Sequence, residues 1–256
     1  MIKVLVNGCL GRMGSTVVEA VQAASDLQMV AGFDVNADSD RPGAFPLFND
    51  LSQALAQSAP DVVVDFTIPR AVFDNAKLCL GAGARVVVGT TGLVQKQIAD
   101  LEASVPAGGC LFIAPNFAIG AVLLMRFAAE AAPYFDDLQV IEQHRAGKLD
   151  APSGTALATA QMMAASRSRA ASPALRPYQG DAAAYGMDVS GIKLHSMRSD
   201  GFVANQEVLC ASAGQTLSLK HENIDRHAYM PGVLLAIREV MGRQGLIVGL
   251  ENLMDL

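Results

Sequence analysis

The sequence lacks the excess of basic residues and the long apolar runs that nucleic-acid-binding and membrane-spanning proteins need. It contains 19 Lys and Arg against 25 Asp and Glu, which gives a formal net charge of −6. Its longest apolar stretch, Ala118 to Met125, is interrupted by Gly120 and is too short to cross a bilayer. We therefore expect no nucleic-acid partner and no membrane partner. An anionic small molecule is compatible with this composition, because a few local cations are enough to bind one.

Cysteine is scarce and shows no functional spacing. The four cysteines form no CxxC pair, and no group of His, Cys, Asp and Glu has metal-ligand spacing. The first apolar run begins at residue 2, which leaves no room for a secretory or transit segment. We expect reduced, mostly buried thiols, no bound metal and a cytoplasmic location. The cysteines are Cys9, Cys79, Cys110 and Cys210.

The first half of the chain alternates short β-branched runs with helical patterns. The runs Lys3–Asn7 and Asp61–Phe66 are almost continuously apolar, which is typical of parallel strands covered by helices on both faces. Later runs, at 191–195, 207–212 and 216–221, follow one another without helices between them. The pattern predicts an α/β fold with a Rossmann-type doubly wound parallel sheet. It also predicts a second, smaller α+β domain that carries a mostly antiparallel sheet.

The change of pattern sets the expected domain boundaries. Residues 1–117 are predicted to form one domain, and residues 118–225 a second, smaller one. A helix predicted over 228–242 and the apolar tail that follows it, 245–250, have no partner in the antiparallel part. We therefore expect residues 226–256 to return to the first domain.

A glycine-rich turn follows the first predicted strand and precedes a helix. Its glycines, Gly8, Gly11 and Gly14, are spaced three apart, a variant of the dinucleotide fingerprint. They allow a tight turn, close approach of the backbone to a pyrophosphate, and close packing of helix on strand. The helix N-terminus offers free N–H groups to the phosphates. The residues predicted to bind the cofactor here are Gly8, Cys9, Leu10, Gly11, Arg12 and Met13.

Asp34 ends the second strand, where an acidic residue accepts hydrogen bonds from the adenosine ribose hydroxyls. A site for NADPH is expected to place a cation beside it for the 2′-phosphate. Here Val35, Asn36 and Ala37 follow, and the nearest downstream cation is Arg41. The sequence therefore predicts NADH as the preferred cofactor, with NADPH as the alternative.

Two further strand ends belong with this turn, because ligands of open α/β sheets sit at the carboxyl ends of the strands. Small and hydroxyl-bearing residues there suit contact with the nicotinamide and its ribose. Each segment alone is equally compatible with an ordinary strand-to-helix loop. The predicted contacts are Gly89, Thr90 and Thr91 in one segment, and Ala114, Pro115, Asn116 and Phe117 in the other.

The segment from residue 142 to residue 156 concentrates a histidine, two cations and a helix start. Lys148 and Arg145 provide positive charge, and the N–H groups near Gly154 and Thr155 can hold an anion. Histidine is a common proton donor in enzymes at neutral pH, so His144 can deliver a proton. From the residues alone, an exposed helix start with solvated charges is a slightly better interpretation.

The same segment resembles the dihydrodipicolinate reductases. The resemblance rests on His144, on the run Lys148-Leu-Asp-Ala-Pro-Ser-Gly-Thr-Ala156, and on the glycine turn. It also rests on Asp65-Phe66-Thr67 and on the two strand-end segments given above, all in family order from residue 3 to about residue 160. The Asp-Ala-Pro-Ser-Gly-Thr run is the specific part.

The resemblance implies a homotetramer that uses NAD(P)H to reduce an unsaturated cyclic imine dicarboxylate in lysine and diaminopimelate biosynthesis. It also implies that residues 1–117 are a dinucleotide-binding domain and residues 118–225 a substrate-binding and oligomerisation domain. It implies that His144 and Lys148 are the catalytic proton donor and substrate-binding cation, and that Gly154 and Thr155 bind a substrate carboxylate through their backbone. This sequence has Arg145 where the family commonly has a second histidine, and a guanidinium can hold a carboxylate but cannot donate a proton at neutral pH. It also has Asn205-Gln206-Glu207 where the family has Gly-x-His.

Two alternatives stay open at this stage. One is a divergent two-domain NAD(P)-dependent dehydrogenase that acts on a related imine or amino acid. The other is a non-catalytic NAD-binding sensor, against which the presence of both His144 and Lys148 argues, because a sensor needs no proton donor.

Overall fold

A computed structural model describes residues 1–38, 43–167 and 182–254. The chain divides into two compact units. The first unit consists of Met1–Ala118 together with Tyr229–Leu256, and the second of Ile119–Ala228.

The helices and strands follow one another along the chain in this order. In the first unit they are β1 Ile2–Asn7, α1 Arg12–Ala23, β2 Leu27–Phe33, β3 Leu47–Phe48, α2 Leu51–Ser58, β4 Val62–Asp65, α3 Val72–Gly81, β5 Arg85–Val88, α4 Gln95–Glu102 and β6 Cys110–Ile113. The second unit contains α5 Ile119–Ala131, β7 Asp137–His144, α6 Gly154–Ser166, β8 Met187–Val189, β9 Ile192–Arg198, β10 Ala204–Ser212 and β11 Gln215–Asn223. The chain then completes the first unit with α7 Met230–Glu239 and β12 Gly245–Val248.

The first unit is built on a seven-stranded sheet in the order β12-β6-β5-β4-β1-β2-β3. Every adjacent pair of strands is parallel, and β4 and β6 are buried at each position. Their continuous apolar sequences follow from this, because helices cover both faces of such a sheet. The predicted Rossmann-type sheet is confirmed. Because β1 lies between β2 and β4, the chain reverses its direction of travel across the sheet there, which is where dinucleotides bind in open α/β folds.

The end of the chain contributes a strand where the sequence predicts only an apolar tail. Gly245–Val248 pairs in parallel with β6 and extends the sheet by one strand. A run of four residues gives too short a pattern to distinguish a strand from a tail, and only the neighbouring strand determines it. The preceding helix, α7, is held to the same unit by an ion pair in which Arg238 Nε lies 2.8 Å from Asp26 Oδ2.

The second unit is built on a five-stranded sheet in the order β11-β10-β7-β9-β8. Strands β7 and β9 are parallel and the other pairs are antiparallel, so the predicted mostly antiparallel sheet is confirmed. In β7 buried and partly exposed residues alternate, and Leu138 and Val140 point into a core shared with α5 and α6. Two residues further, the same face of β7 presents Glu142 and then His144.

None of the helices in the described ranges is long and apolar enough to cross a membrane.

Candidate active site

The glycine turn of the first unit is so tight that two of its glycines cannot be replaced without displacing backbone. Gly8 has a positive φ of 76°, a conformation that side chains disfavour. A Cβ added to Gly14 would lie 1.9 Å from the carbonyl oxygen of Gly8. The N–H of Gly8 donates to Phe33 O at 2.7 Å, which fixes the turn against the end of β2.

The N-terminus of α1 is open to a ligand. Its N-cap residue is Gly11, which has no side chain to accept from the first-turn N–H groups. Leu10, beside it, is 52% exposed. Asp34 Oδ2 accepts from the N–H of Leu10 at 3.3 Å and Oδ1 accepts from Asn36 at 3.0 Å, so the carboxylate stands at the rim of the turn. Free donors beside a carboxylate fit the pyrophosphate and ribose of a dinucleotide.

A buried carboxylate ties together the loops at the carboxyl edge of the parallel sheet. Asp65, which is fully buried at the end of β4, accepts from Thr67 Oγ1 at 2.7 Å and from Thr90 Oγ1 at 2.8 Å. Its second oxygen accepts from the side-chain amides of Asn7 and Asn75, both at 3.2 Å. One side chain therefore holds the ends of β1, β4 and β5 in register beneath the predicted cofactor site.

The other two predicted strand ends lie at the same edge. A Cβ on Gly89 would lie 2.2 Å from the ring of Phe66, so this position needs glycine for packing alone. The Phe66 ring lies 5.7 Å from that of Phe117, which is buried. Asn116 accepts from the N–H of Ala118 at 2.9 Å and shapes this loop. Ala114 is buried, whereas Pro115 and Thr91 are exposed.

The second unit brings an acid, a histidine and an arginine together across β7 and β9. The parallel register places Ser196 opposite Glu142, and Arg198 opposite His144. Glu142 is fully buried, its Oε2 pairs with Nδ1 of His144, and its Oε1 accepts from Arg198 Nη2 at 2.8 Å. His144 itself keeps 17% of its side chain exposed, so its ring can meet a ligand.

The loop after β7 carries Lys148 and is held by the same arginine. Arg198 donates through Nε to the carbonyl oxygen of Lys148 at 3.3 Å and through Nη2 to that of Asp150 at 2.6 Å. The Lys148 ammonium lies 2.8 and 2.7 Å from the two carboxylate oxygens of Asp150. Arg145, at the start of this loop, is exposed, and its carbonyl oxygen accepts from the N–H of Lys148.

The N-terminus of α6 follows directly. Ser153 is its N-cap, and its Oγ accepts from the N–H of Ala156 at 3.2 Å. The first helical hydrogen bond runs from Leu157 to Ser153, so the N–H groups of Gly154 and Thr155 precede it. A Cβ added to Gly154 would meet nothing within 4 Å. The fold of the chain therefore does not itself require a glycine there.

The electrostatics of this cluster favour an ionised acid. Burial alone would raise the pKa of Glu142, but hydrogen bonds from His144, Arg198 and Ser196 lower it from 4.5 to about 2. The hydrogen bond from Lys148 likewise lowers the pKa of Asp150. A histidine that holds a carboxylate behind it, a lysine and a free helix N-terminus together can bind a carboxylate and deliver a proton.

The structure shows which predicted residues share a location and which do not. Through Glu142 and Arg198 it connects His144, the Lys148 loop and the start of α6. His195 lies on the opposite face of β9, where its Nε2 lies 3.1 Å from Gln139 Oε1. Arg41 lies outside the described residues.

The sequence analysis predicts no role for four polar residues of these clusters. They are Asp65, Glu142, Asp150 and Arg198. The alternation in β7 contains a signal for Glu142, because a residue two positions before His144 in a strand lies on the same face as His144. For the arginine no local signal exists, since it lies 56 positions further along the chain than Glu142.

Two family models match nearly the whole chain. The model of the dihydrodipicolinate reductase N-terminus matches residues 2–117, and that of the C-terminus matches residues 120–254. The chain belongs to the dihydrodipicolinate reductase family. This confirms the resemblance found in the sequence.

Relatives and a solved structure agree with this assignment. The chain is 46% identical to the 4-hydroxy-tetrahydrodipicolinate reductase of Mycolicibacterium smegmatis, with 100% of each chain covered. It is 41% identical to the enzyme of the same name from Syntrophomonas wolfei, with 98% of each covered. The structure of a dipicolinate-bound dihydrodipicolinate reductase from Paenisporosarcina sp. TG-14 matches with a TM-score of 0.88 and 37% identity, over 99% of this chain and 100% of that one.

A more distant structure shows the fold alone. An amine dehydrogenase from Mycobacterium smegmatis matches with a TM-score of 0.66 at 14% identity, over 98% of this chain and 95% of that one. Within the described residues, no group of three or more His, Cys, Asp and Glu side chains could hold a metal ion.

Proposed function

We propose that this chain reduces the cyclic imine dicarboxylate hydroxy-tetrahydrodipicolinate, or dihydrodipicolinate, to tetrahydrodipicolinate in lysine and diaminopimelate biosynthesis. The observation that carries the proposal is the cluster of the second unit, in which His144, the Lys148 loop and the start of α6 are held together by Glu142 and Arg198. The relatives that match over their whole length are named for this reaction.

Each residue of the cluster has its own role in substrate binding or proton transfer. His144 is the proton donor, because its ring is backed by a carboxylate and remains partly exposed. Lys148 binds the anionic substrate after exchanging its contact with Asp150 for one with a substrate carboxylate. The N–H groups of Gly154 and Thr155 bind a carboxylate, and Arg145 binds the second one from the exposed turn. A related protein binds dipicolinate, a planar dicarboxylate.

The first unit supplies the cofactor site. Bound NAD(P)H supplies the hydride for reduction of the imine. The predicted contacts of the glycine turn and of the strand ends orient the cofactor at the carboxyl edge of the sheet. We propose NADH as the preferred form, because Asp34 is followed by the uncharged Val35 and Asn36 and its oxygens already accept from backbone N–H groups at the turn. No cation directly follows Asp34 in the sequence to pair with a 2′-phosphate.

We also propose that the protein works as a cytoplasmic homotetramer assembled through the second unit. The face of the second sheet opposite α5 and α6 carries Ile141, Leu209 and the exposed Met197, which are suited to burial against another copy. Light scattering coupled to size-exclusion chromatography tests this directly. A tetramer that dissociates on Leu209→Lys supports it, and a monomer at micromolar concentration contradicts it.

A coupled assay tests the activity. Hydroxy-tetrahydrodipicolinate is generated enzymatically in the cuvette, and the oxidation of NADH and of NADPH is followed separately. Turnover with a higher kcat/KM for NADH is the expected result. A better kcat/KM with NADPH would refute the cofactor preference only. Nucleotide binding without turnover would favour the sensor alternative. Turnover only on other imines or amino acids would favour the divergent dehydrogenase.

Paired variants test the roles of the two proposed catalytic residues. His144→Ala and Lys148→Ala are each expected to lower kcat by about 10²- to 10⁴-fold if they assist proton transfer. Matched controls are His227→Ala and Lys193→Ala, whose side chains pair with Asp225 at 3.1 Å and Asp188 at 3.3 Å outside the cluster. Wild-type turnover in both cluster variants would contradict the assignment.

A further inference from the structure

We propose that Glu142 is the positioning residue of this site. It fixes His144 as the tautomer with hydrogen on Nδ1 and, through Arg198, holds the loop that carries Lys148. The inference rests on the proposed function for the roles of His144 and Lys148, whereas the arrangement itself is a property of the described contacts. Glu142 touches neither substrate nor cofactor in this account, because its side chain is fully buried.

The first step concerns the hydrogen between Glu142 and His144. The pKa of Glu142, lowered to about 2, keeps the side chain ionised at neutral pH, and an ionised carboxylate only accepts hydrogen bonds. The contact of its Oε2 with Nδ1 of His144 therefore requires the hydrogen to sit on Nδ1. Nε2 is then the nitrogen that takes up a proton from solvent, and the imidazolium so formed can deliver that proton to a ligand. Without the carboxylate, nothing in this contact would select that tautomer.

The second step concerns the other oxygen of the same carboxylate. Oε1 accepts from Arg198 Nη2 at 2.8 Å and from the N–H of Ser153 at 3.3 Å. The same guanidinium donates to the carbonyl oxygens of Lys148 and Asp150. Glu142 therefore contacts His144 through Oε2. Through Oε1 it holds the start of α6 directly, and the Lys148 end of the preceding loop by way of Arg198.

The third step is that stability alone does not explain this acid. The alternation of β7 places Glu142 in line with Leu138 and Val140, at a position where an apolar residue would continue the core. Moving a carboxylate out of water costs several kcal/mol even when it is paired, and a buried ion pair seldom stabilises more than apolar residues of equal size. A role in orienting the reacting groups accounts for an acid at this position.

The test begins with the wild-type protein and needs no substrate. Histidine side chains labelled with ¹⁵N report by NMR which ring nitrogen carries hydrogen, and the His144 signal among the four histidines is assigned as the one missing from His144→Ala. We expect hydrogen on Nδ1 in the neutral ring. An Nε2–H tautomer in the wild type would overturn the inference, whether or not any variant folds.

Glu142→Gln is the decisive variant, because it keeps the size of the side chain and removes the charge. Its amide can donate to Nδ1, so the histidine is expected to shift to the Nε2–H tautomer. We expect kcat to fall by about 10- to 100-fold or more, as for other residues that orient a catalytic imidazole. KM for NADH should change less than twofold, and Glu142→Asp should restore the Nδ1–H tautomer and part of kcat.

The matched control is Gln206→Met. Gln206 is buried opposite Glu142 on the neighbouring strand β10 and donates to Thr159 Oγ1 at 2.8 Å, so this change disturbs the same region of the core without touching His144. It should leave the tautomer and kcat as in the wild type. The inference would be overturned if Glu142→Gln left kcat unchanged. It would also be overturned if both variants lost kcat equally while the His144 tautomer stayed the same in each. Absence of turnover in the wild type would instead refute the proposed function and leave the tautomer measurement valid.

Discussion

Replacement of Gly154 by alanine separates ligand binding from stability, because the structure predicts opposite signs for the two. Gly154 is the first residue of α6 and is exposed, and a Cβ there would meet nothing within 4 Å. Alanine is favoured over glycine in a helix by about 0.5–1 kcal/mol, and a terminal position gives the lower part of that range. The variant should therefore unfold at a temperature equal to the wild type or up to about 4 °C higher.

Binding should change in the other direction. If a substrate carboxylate accepts from the N–H groups of Gly154 and Thr155, an added methyl group occupies the space through which the carboxylate approaches. A hydrogen bond to a charged group is worth about 1.5–3 kcal/mol, so the loss of one weakens binding by about 10- to 100-fold. Titration calorimetry with dipicolinate as the probe measures this, and the rise of KM in the coupled assay should match it.

The control is Gly81→Ala at the last residue of α3, where an added Cβ also meets nothing within 4 Å. It should leave thermal stability equal or slightly higher and leave dipicolinate affinity and KM unchanged. Wild-type affinity in Gly154→Ala would refute the argument that the start of α6 contacts the ligand. A fall in its melting temperature would refute the premise that the fold does not require a glycine there.

The remaining predictions concern the cofactor turn, acid stability and thiol reactivity. Gly14→Ala should lower both the unfolding free energy and NADH affinity, measured by urea denaturation and by fluorescence titration, because its Cβ would lie 1.9 Å from Gly8 O. The pKa of Glu142 is depressed in the folded state from 4.5 to about 2, so its stabilising contribution, up to about 3 kcal/mol, is complete above pH 4.5 and is lost as the pH falls toward 2. The difference in unfolding free energy between wild type and Glu142→Gln should shrink over that window, and a constant difference would contradict the assignment. Burial raises the pKa of Cys9 to about 11 and of Cys79 to about 12. Iodoacetamide should therefore label both thiols only after the protein is unfolded, as detected by mass spectrometry. Rapid labelling of the native protein would contradict this prediction.

Local features of the chain could be predicted from the sequence because they depend on neighbouring residues. The turn around Gly8 and Gly14 is specified by glycine spacing, and the start of α6 by Ser153 before an alanine-rich run. The parallel sheet follows from continuous apolar runs such as that of β4, and the mostly antiparallel sheet from runs that follow one another without helices between them. These elements lie close to their predicted positions.

Contacts between distant segments could not be predicted in the same way. Arg198 reaches Glu142 only because β9 lies parallel to β7 in a register that pairs it with His144. Asp65 collects donors from Asn7, Thr67, Asn75 and Thr90, on four separate segments. Such contacts depend on strand order and register, which a single sequence does not specify.

From the sequence by itself, His144 and Lys148 are candidates through the family resemblance of one continuous motif that ends at the start of α6. The tertiary structure decided how they are held. It buried Glu142 behind His144 and brought Arg198 to the loop of Lys148, because paired strands place side chains on one face irrespective of their distance along the chain.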